Sequence, residues 1–208
     1  SAPLRPHAPA AQCPSLRHAR RAEGNEGDVH QERDAIHFRL GRGHPAPAAR
    51  ARTGVQRKLR RIAIQLCEEN WAEKRIVIVG VAPRGMKLAE RLATMIGELN
   101  AVEAELIELR LDKNDPLIGP VKLSADLGTL KGRTVVLVDD VLMSGRTLMH
   151  AAAHLVQVKL AKLTTVVLVD RRHRAYPIRA DIVGLTLSTT VQEHISVELG
   201  RKDAVYLS

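Results

Sequence analysis

The amino-acid sequence predicts an α/β fold built on a central, mostly parallel sheet with helices on both faces. From residue 51 onwards, short runs of β-branched residues alternate with stretches in which apolar residues recur at helical spacing. The β-branched runs are continuous, as in strands that are buried on both faces. Strands that alternate with helices pair in parallel through right-handed crossovers, so these two observations together indicate the fold class.

Three helices and five strands are predicted within this region. The helices are identified by apolar stripes within residues 59–66, 88–96 and 148–158. The strands are identified by apolar runs at residues 75–80, 102–109, 134–138, 163–169 and 182–185. Because parallel sheets bind ligands beyond the carboxyl ends of their strands, the segments that follow Val79 and Val138 are the first places to look for a site.

Residues 1–50 differ from the rest of the chain in composition. They contain 8 Arg, no Lys, 5 His, 6 Pro and 10 Ala, and no helical or strand period lasts beyond a few positions. Such a segment cannot bury enough apolar surface to offset the entropy of ordering, so we expect a disordered extension before a domain at residues 51–208. Two other interpretations stay open, a basic arm that contacts RNA and a non-native extension translated in a wrong frame.

Whole-chain properties bound the function. The formal net charge is +9, which favours anionic partners such as phosphates or nucleic acid. Two cysteines, Cys13 and Cys67, are too few for a disulfide framework or a zinc site. No apolar run approaches the roughly 18 residues of a transmembrane helix, and the N-terminus carries no secretory signal. We therefore expect a cytoplasmic protein that does not associate with membranes.

The motif with the clearest chemistry follows the strand at residues 134–138. Asp139 and Asp140 are adjacent carboxylates, which repel each other unless a cationic or polyhydroxylic group binds them. Residues 144–147 then open a helix, where free backbone N–H groups and the positive end of the helix dipole form an anion site. Gly145 permits the tight turn that this arrangement needs. A ribose 5-phosphate meets both demands at once.

This motif has two alternative interpretations. A strand followed by two aspartates also occurs in response-regulator receivers, but there the acidic pair ends the first strand, whereas here it follows a later one. Asp and Ser are also ordinary N-cap residues, so the segment could be a solvated helix cap. Neither alternative explains why an acidic pair and a phosphate-type turn occur together.

Residues 135–147 resemble the phosphoribosyl pyrophosphate (PRPP) signature of type I phosphoribosyltransferases. More narrowly, the chain from about residue 55 onwards resembles the PyrR family, pyrimidine-operon attenuators that also have uracil phosphoribosyltransferase activity. Residues 80–85, Gly-Val-Ala-Pro-Arg-Gly, are similar to that family's pyrophosphate loop, and residues 168–184 are similar to a more PyrR-specific stretch. The resemblance implies the type I phosphoribosyltransferase fold, with a small hood over the active site.

The implied activity is transfer of phosphoribose from PRPP to a nucleobase, with uracil as the first choice, to give the nucleoside monophosphate and pyrophosphate. The alternative is a PyrR-like RNA-binding regulator of pyrimidine genes with weak or no catalysis. The resemblance further implies a homodimer or larger homo-oligomer. Its partners would be PRPP, a nucleobase or nucleotide, and RNA.

The resemblance also implies a role for each site residue. Asp139 and Asp140 would hold the ribose 2′- and 3′-hydroxyls, directly or through Mg²⁺, and with Arg84 they form the expected catalytic set. The PRPP 5-phosphate would lie in a phosphate loop formed by Met143, Ser144, Gly145, Arg146 and Thr147. The pyrophosphate would be bound by a pyrophosphate loop that contains Ala82, Pro83, Arg84 and Gly85. A guanidinium suits this concentrated anion, and the Mg²⁺ prefers carboxylate and phosphate oxygens.

The sequence departs from the family at three places. Met143 stands where enzymes acting on 6-oxopurines place an aspartate as general base, and where PyrR proteins usually have a tyrosine; a thioether cannot take that proton, which disfavours purines. Arg172 stands where the PyrR motif has a glycine. Residues 109–125 occupy the place of the hood and are called the hood segment below. The nearest remnant of the family's Arg-Asp-Asp signature there is residues 110–112.

RNA binding would involve basic residues in two separate segments. The positions carried over from the family are Arg61, His173, Arg174 and Arg179, whose cationic groups could neutralise phosphates. A solvated helix face and a polar loop near the substrate are the alternatives for these two segments. The few aromatic residues are not interleaved with the basic ones, which argues against a protein that binds single strands by stacking.

Overall fold

The computed structural model describes residues 48–99, 102–113, 115–116, 119–172, 174–187, 195–199 and 204–207. Residues 1–47 lie outside this set, so the extension expected at residues 1–50 stays a prediction. The first helix begins at Ala48, slightly before the expected domain boundary. In the described part of the chain, no helix has both the length and the apolar character needed to cross a membrane.

Eight strands, three α-helices and one short 3₁₀ helix are described. In chain order they are α1 (Ala48–Glu69), β1 (Arg75–Val81), α2 (Arg84–Glu98), β2 (Glu103–Arg110), β3 (Lys122–Leu123), the 3₁₀ helix (Leu127–Leu130), β4 (Thr134–Leu142), α3 (Arg146–Leu155), β5 (Lys162–Asp170), β6 (Ile182–Thr186), β7 (Ile195–Glu198) and β8 (Ala204–Leu207). Six strands form one sheet in the order β3-β2-β1-β4-β5-β6, and β7 pairs with β8 separately. Only β3 is antiparallel to its neighbour in the described six-stranded sheet, so the predicted mostly parallel α/β fold is confirmed.

The sheet is covered on both faces, as the sequence predicts. On one face α1 and α2 bury residues such as Ile62 and Leu92 against Ile78 of β1. On the other face α3 and the 3₁₀ helix bury Leu148 and Leu130 against strand residues that include Val77 and Val79. Successive β1 residues therefore enter opposite apolar layers, which is the physical reason for its unbroken β-branched run.

One boundary in the fold corrects the prediction and matters for the site. The sequence predicts that the third strand ends at Val138, but β4 continues to Leu142. The pairing of β4 with β1 does end at Val138, opposite Gly80, while its pairing with β5 continues as far as Leu142 opposite Asp170. Asp139 and Asp140 therefore lie within β4, just beyond the point where its pairing with β1 ends.

Candidate active site

A cavity of about 240 Å³ opens at the carboxyl end of the sheet, where the predicted site was placed. It brings the acidic pair, Asp139 and Asp140, together with Arg84 and most of the phosphate loop. The lining residues are Arg84, Lys113, Asp139, Asp140, Val141, Leu142, Met143, Ser144, Gly145, Thr147, Leu148 and Val167. Arg84 and Asp139, which are 55 positions apart in the sequence, thus face one space, because parallel strands end at a common edge.

The acidic pair is the most buried part of this cavity. Asp139 and Asp140 are each only 3% exposed. The Oδ1 atom of Asp139 accepts a hydrogen bond of 2.9 Å from the backbone N–H of Asp140. The Oδ2 atom of Asp140 is buried and lies 3.1 Å from Nε of Arg84, but the geometry there does not make a hydrogen bond. The pair therefore keeps one acceptor atom that no hydrogen bond satisfies.

Two cations face these carboxylates. The Lys113 Nζ atom lies 2.8 Å from Oδ1 of Asp139 and 3.4 Å from Oδ1 of Asp140. The pKa of Asp139 is raised to about 7, because burial raises it more than the charge of Lys113 lowers it, and the charge of Asp140 contributes to the increase. The pair is thus a site where negative charge is costly unless cations compensate it.

The same oxygens could hold a hard divalent cation. No group of three or more His, Cys, Asp or Glu side chains that could bind a metal occurs among the described residues. A cation on Asp139 and Asp140 would therefore take its other ligands from substrate oxygens and water. That division is typical of Mg²⁺, which binds through one or two carboxylates and substrate phosphates.

Gly85 fixes how closely α2 approaches β4. A Cβ atom at this position would lie 2.7 Å from the carbonyl oxygen of Val138 and 3.0 Å from Cα of Asp139. Glycine is therefore required for the first turn of α2 to pack directly against the acidic pair. This contact positions Arg84, the first residue of α2, so that its half-exposed guanidinium reaches Asp140. Ala82 and Pro83 complete the connection between β1 and α2.

The phosphate loop has the backbone geometry expected of an anion site. Gly145 is the N-cap of α3 and has a φ of 85°, in the left-handed region that favours glycine. The carbonyl oxygen of Ser144 accepts hydrogen bonds from the N–H groups of Ala175 (2.9 Å) and Tyr176 (3.0 Å). Ile178 packs so closely that a Cβ at Gly145 would lie 2.8 Å from its Cγ2. The segment after β5 therefore packs against the phosphate loop and holds its backbone in place.

The PyrR-like segment after β5 is organised around Asp170. Arg172 has a φ of 65°, and its N–H donates a 2.9 Å hydrogen bond to Oδ1 of Asp170. A left-handed backbone is the physical reason for a glycine at this position in the related motif, and Arg172 adopts it despite its side chain. The Arg174 guanidinium forms an ion pair with Oδ2 of Asp170. Asp170 thus holds both ends of this turn.

The residues predicted to contact RNA do not converge on the cavity. Arg61 of α1 donates hydrogen bonds to the carbonyl groups of Val183 and Gly184 in β6, and Arg174 is paired as described above. Arg179 is exposed, and its carbonyl accepts a bond from a threonine of β5. His173 lies outside the described residues, so its role stays a prediction.

Sequence reasoning missed two charged residues of the hood segment. Lys113 reaches the acidic pair, and Oδ1 of Asp115 lies 3.1 Å from Nη2 of Arg146 in the phosphate loop. Arg110, expected to begin the remnant of the family signature, instead pairs with Glu108 and is 71% exposed. In the sequence, these two residues belong to a cluster of charged residues in a segment without helical or strand periodicity. Nothing in that cluster distinguishes Lys113 from a solvated lysine.

Comparison with known proteins agrees with this geometry. A model of the phosphoribosyl transferase domain family matches residues 51–201. The bifunctional protein PyrR of Alkaliphilus metalliredigens is 36% identical over 170 residues, which covers 74% of this chain and 90% of that protein. The bifunctional protein PyrR of Deinococcus radiodurans is 38% identical over 159 residues, covering 72% of this chain and 85% of that protein.

Solved structures with the same fold are more distant in sequence. A hypoxanthine-guanine phosphoribosyltransferase of Bacillus anthracis superposes with a TM-score of 0.55 at 24% identity, covering 65% of this chain and 79% of the other. A hypoxanthine phosphoribosyltransferase of Trypanosoma cruzi superposes with a TM-score of 0.59 at 18% identity, covering 70% and 82%. At these identities the superpositions support the fold, and the acceptor base has to be argued from the site itself.

Proposed function

Because the chain belongs to the phosphoribosyl transferase domain family and to its PyrR group, we propose that it transfers phosphoribose from PRPP to uracil, giving UMP and pyrophosphate. One observation carries the proposal. The buried acidic pair, the phosphate loop and Arg84 line a single cavity. PRPP presents a diol, a 5-phosphate and a pyrophosphate in one molecule, and the cavity offers a matching group for each.

Different residues of the cavity bind different parts of PRPP. Asp139 and Asp140 hold the ribose hydroxyls, and the backbone N–H groups of residues 143–147 bind the 5-phosphate at the start of α3. Arg84 neutralises the pyrophosphate. Asp139 and Asp140 would hold Mg²⁺, which would supply positive charge that stabilises the leaving pyrophosphate.

In the reaction the bond between ribose C1 and the pyrophosphate oxygen breaks, and a bond from C1 to the base nitrogen forms. The pyrophosphate leaves with the bonding electrons, and the nitrogen loses its proton to water. Positive charge develops on the ribose ring, so the fixed carboxylates of Asp139 and Asp140 stabilise the transition state from one side. Arg84 stabilises the negative charge that develops on the leaving group from the other side.

Met143 supports a pyrimidine as the acceptor. Its half-buried side chain lines the cavity, directly before the phosphate loop turns into α3. A thioether packs against an apolar ring surface but cannot remove a proton from a base. The aspartate that serves 6-oxopurine enzymes as general base is therefore absent from the matching position.

A nucleobase panel tests the substrate. Uracil, cytosine, hypoxanthine and guanine are each incubated with PRPP and Mg²⁺, and pyrophosphate release is followed. We expect turnover with uracil, and Met143→Leu should retain it because the position stays apolar. Turnover of hypoxanthine or guanine without turnover of uracil would refute the pyrimidine assignment.

RNA binding is a second proposed function, supported by the surface of α1. Arg57, Arg60 and Arg61 are exposed there and line one side of an open groove. Cations at this spacing on one helix face could contact successive phosphates. The regulatory role would rest on this surface, and homo-oligomerisation of the chain would extend it.

A titration with a pyrimidine-operon leader RNA, with and without UMP, tests this second function. A scrambled RNA of the same length measures the contribution of charge alone. We expect tighter binding of the leader RNA at physiological salt, and weaker binding when Arg57 and Arg60 are replaced by glutamine. Equal affinity for both RNAs would reject the regulatory role.

A further inference from the structure

The hood segment places a pair of opposite charges on the site. Lys113 brings an ammonium to within 2.8 Å of Asp139, and Asp115 brings a carboxylate to within 3.1 Å of Arg146. Both contacts join the segment between β2 and β3 to β4 or to the start of α3, and the Lys113 contact lies within the cavity. They tie the hood segment to the acidic pair and to the phosphate loop.

Each of these charges matches a group that PRPP and its cation would bring. Lys113 supplies positive charge to the two carboxylates, where the proposed function needs a divalent cation or ribose hydroxyls. Asp115 supplies negative charge to an arginine of the phosphate loop, where the proposed function needs a phosphate. The hood segment therefore places a positive charge where a divalent cation would bind and a negative charge where a phosphate would bind.

The acidic pair cannot keep all of its contacts when a ligand binds. Lys113 is in contact with Oδ1 of both aspartates, and its side chain is 28% exposed while theirs are 5% and 4% exposed. A cation bound to these oxygens would be repelled by an ammonium at the same place. Lys113 supplies positive charge to the pair, but Oδ2 of Asp140 still has no hydrogen bond.

We propose that Lys113 is a placeholder cation, which holds the acidic pair in the unliganded protein and leaves it when a divalent cation and PRPP bind. The inference rests on the proposed function, because that function supplies the ligand. The Asp115–Arg146 contact is a second ion pair between the hood segment and the phosphate loop. Lys113 is thus a positioning residue whose contact with the acidic pair competes with binding of the divalent cation.

While Lys113 contacts the carboxylates, a cation can bind only to those molecules in which the carboxylates are available. The apparent affinity for the cation is therefore the intrinsic affinity multiplied by that fraction. Binding of Mn²⁺, followed by the electron paramagnetic resonance signal of the free ion, measures this affinity directly on the full chain. If about one molecule in ten has its carboxylates available, Lys113→Gln should bind Mn²⁺ about tenfold more tightly than the unchanged protein. Lys113→Arg keeps the charge and should bind Mn²⁺ as weakly as the unchanged protein.

Lys131→Gln is the matched control. It removes the same charge from an exposed lysine after the 3₁₀ helix, outside the cavity, and should leave the Mn²⁺ affinity unchanged. Thermal unfolding gives a second readout. Without metal, Lys113→Gln should unfold at a lower temperature because its buried carboxylates have lost a counter-cation, and Mn²⁺ should restore more stability to it than to the unchanged protein.

The outcomes separate this inference from the proposed function. Equal or weaker Mn²⁺ binding by Lys113→Gln, or no binding by either protein, would overturn the placeholder role whatever the enzyme turns over. Conversely, tighter binding by Lys113→Gln together with failure of uracil in the nucleobase panel would support the placeholder role and reject only the choice of acceptor.

Discussion

Replacement of Asp139 and Asp140 together by asparagine should abolish PRPP binding while the fold stays intact. The two carboxylates are buried at the centre of the cavity, and asparagine has nearly the same shape without the charge. Hydrogen bonds to charged groups contribute about 1.5–3 kcal/mol each, so the loss of two such groups lowers affinity by at least about 100-fold. Calorimetric titration of the variant with PRPP and Mg²⁺ measures this loss.

The pH dependence of unfolding shows whether the double variant is folded and tests the electrostatics of the pair. Burial raises the pKa of Asp139 from 3.8 to about 7, so the folded protein binds a proton that the unfolded chain has already released between these values. The free energy of unfolding of the unliganded protein therefore falls as the pH rises from about 4 to about 7. The double variant lacks this group, so its stability should change less over the same range.

Glu98→Gln serves as the control for charge removal, because Glu98 is exposed near the end of α2 and lies outside the cavity. It should leave both PRPP affinity and the pH dependence unchanged. If instead the double variant binds PRPP as well as the unchanged protein does, the acidic pair is not the ribose site. A cooperative unfolding transition in the double variant rules out misfolding as the cause of lost binding.

The parts of the fold that were predicted correctly are those with a repeating local pattern. The strands β1 and β5 are runs rich in β-branched residues, which predicts burial on two faces. The helix α2 has its apolar residues at helical spacing, which predicts burial on one face. The strand β3 has two residues and no period, and it exists because its neighbour β2 offers a free edge there. Such an element is decided by tertiary pairing.

The candidate site divides in the same way. Asp139 and Gly145 were predicted because each belongs to a local motif whose chemistry is readable over a few residues. Lys113 was missed because its partner Asp139 lies 26 positions away, and only the folded sheet brings the hood segment to it. The extension of β4 through Asp140 was missed for a related reason, since it depends on how far β5 continues to pair.

The close contact between α2 and β4 leads to a second prediction of large effect, for Gly85→Ala. The added Cβ would meet the Val138 carbonyl oxygen at 2.7 Å and the Asp139 Cα at 3.0 Å. Both are backbone atoms of a strand that is paired on its other side with β5, so β4 cannot move aside and the start of α2 must shift. Overpacking of this kind costs about 1–3 kcal/mol of unfolding free energy.

The loss of catalysis in Gly85→Ala should exceed what the loss of stability alone would cause. Arg84 is carried by the same turn of α2, so the shift moves its guanidinium away from Asp140 and from the pyrophosphate it is proposed to bind. A misplacement of about 1 Å can cost about 100-fold in rate, so kcat/KM for PRPP should fall by between about 10-fold and 100-fold.

Gly97→Ala on the same helix is the matched control for Gly85→Ala, because a Cβ there has no atom within 4 Å. Alanine favours the helix over glycine by up to about 1 kcal/mol, so this control should be equally or more stable than the unchanged protein, with the same kcat/KM. Denaturant unfolding and steady-state kinetics on the three proteins make the comparison. If Gly85→Ala matched Gly97→Ala in both measurements, the packing of α2 against the acidic pair would not be what positions Arg84, and its guanidinium would have to be held by contacts along the side chain alone.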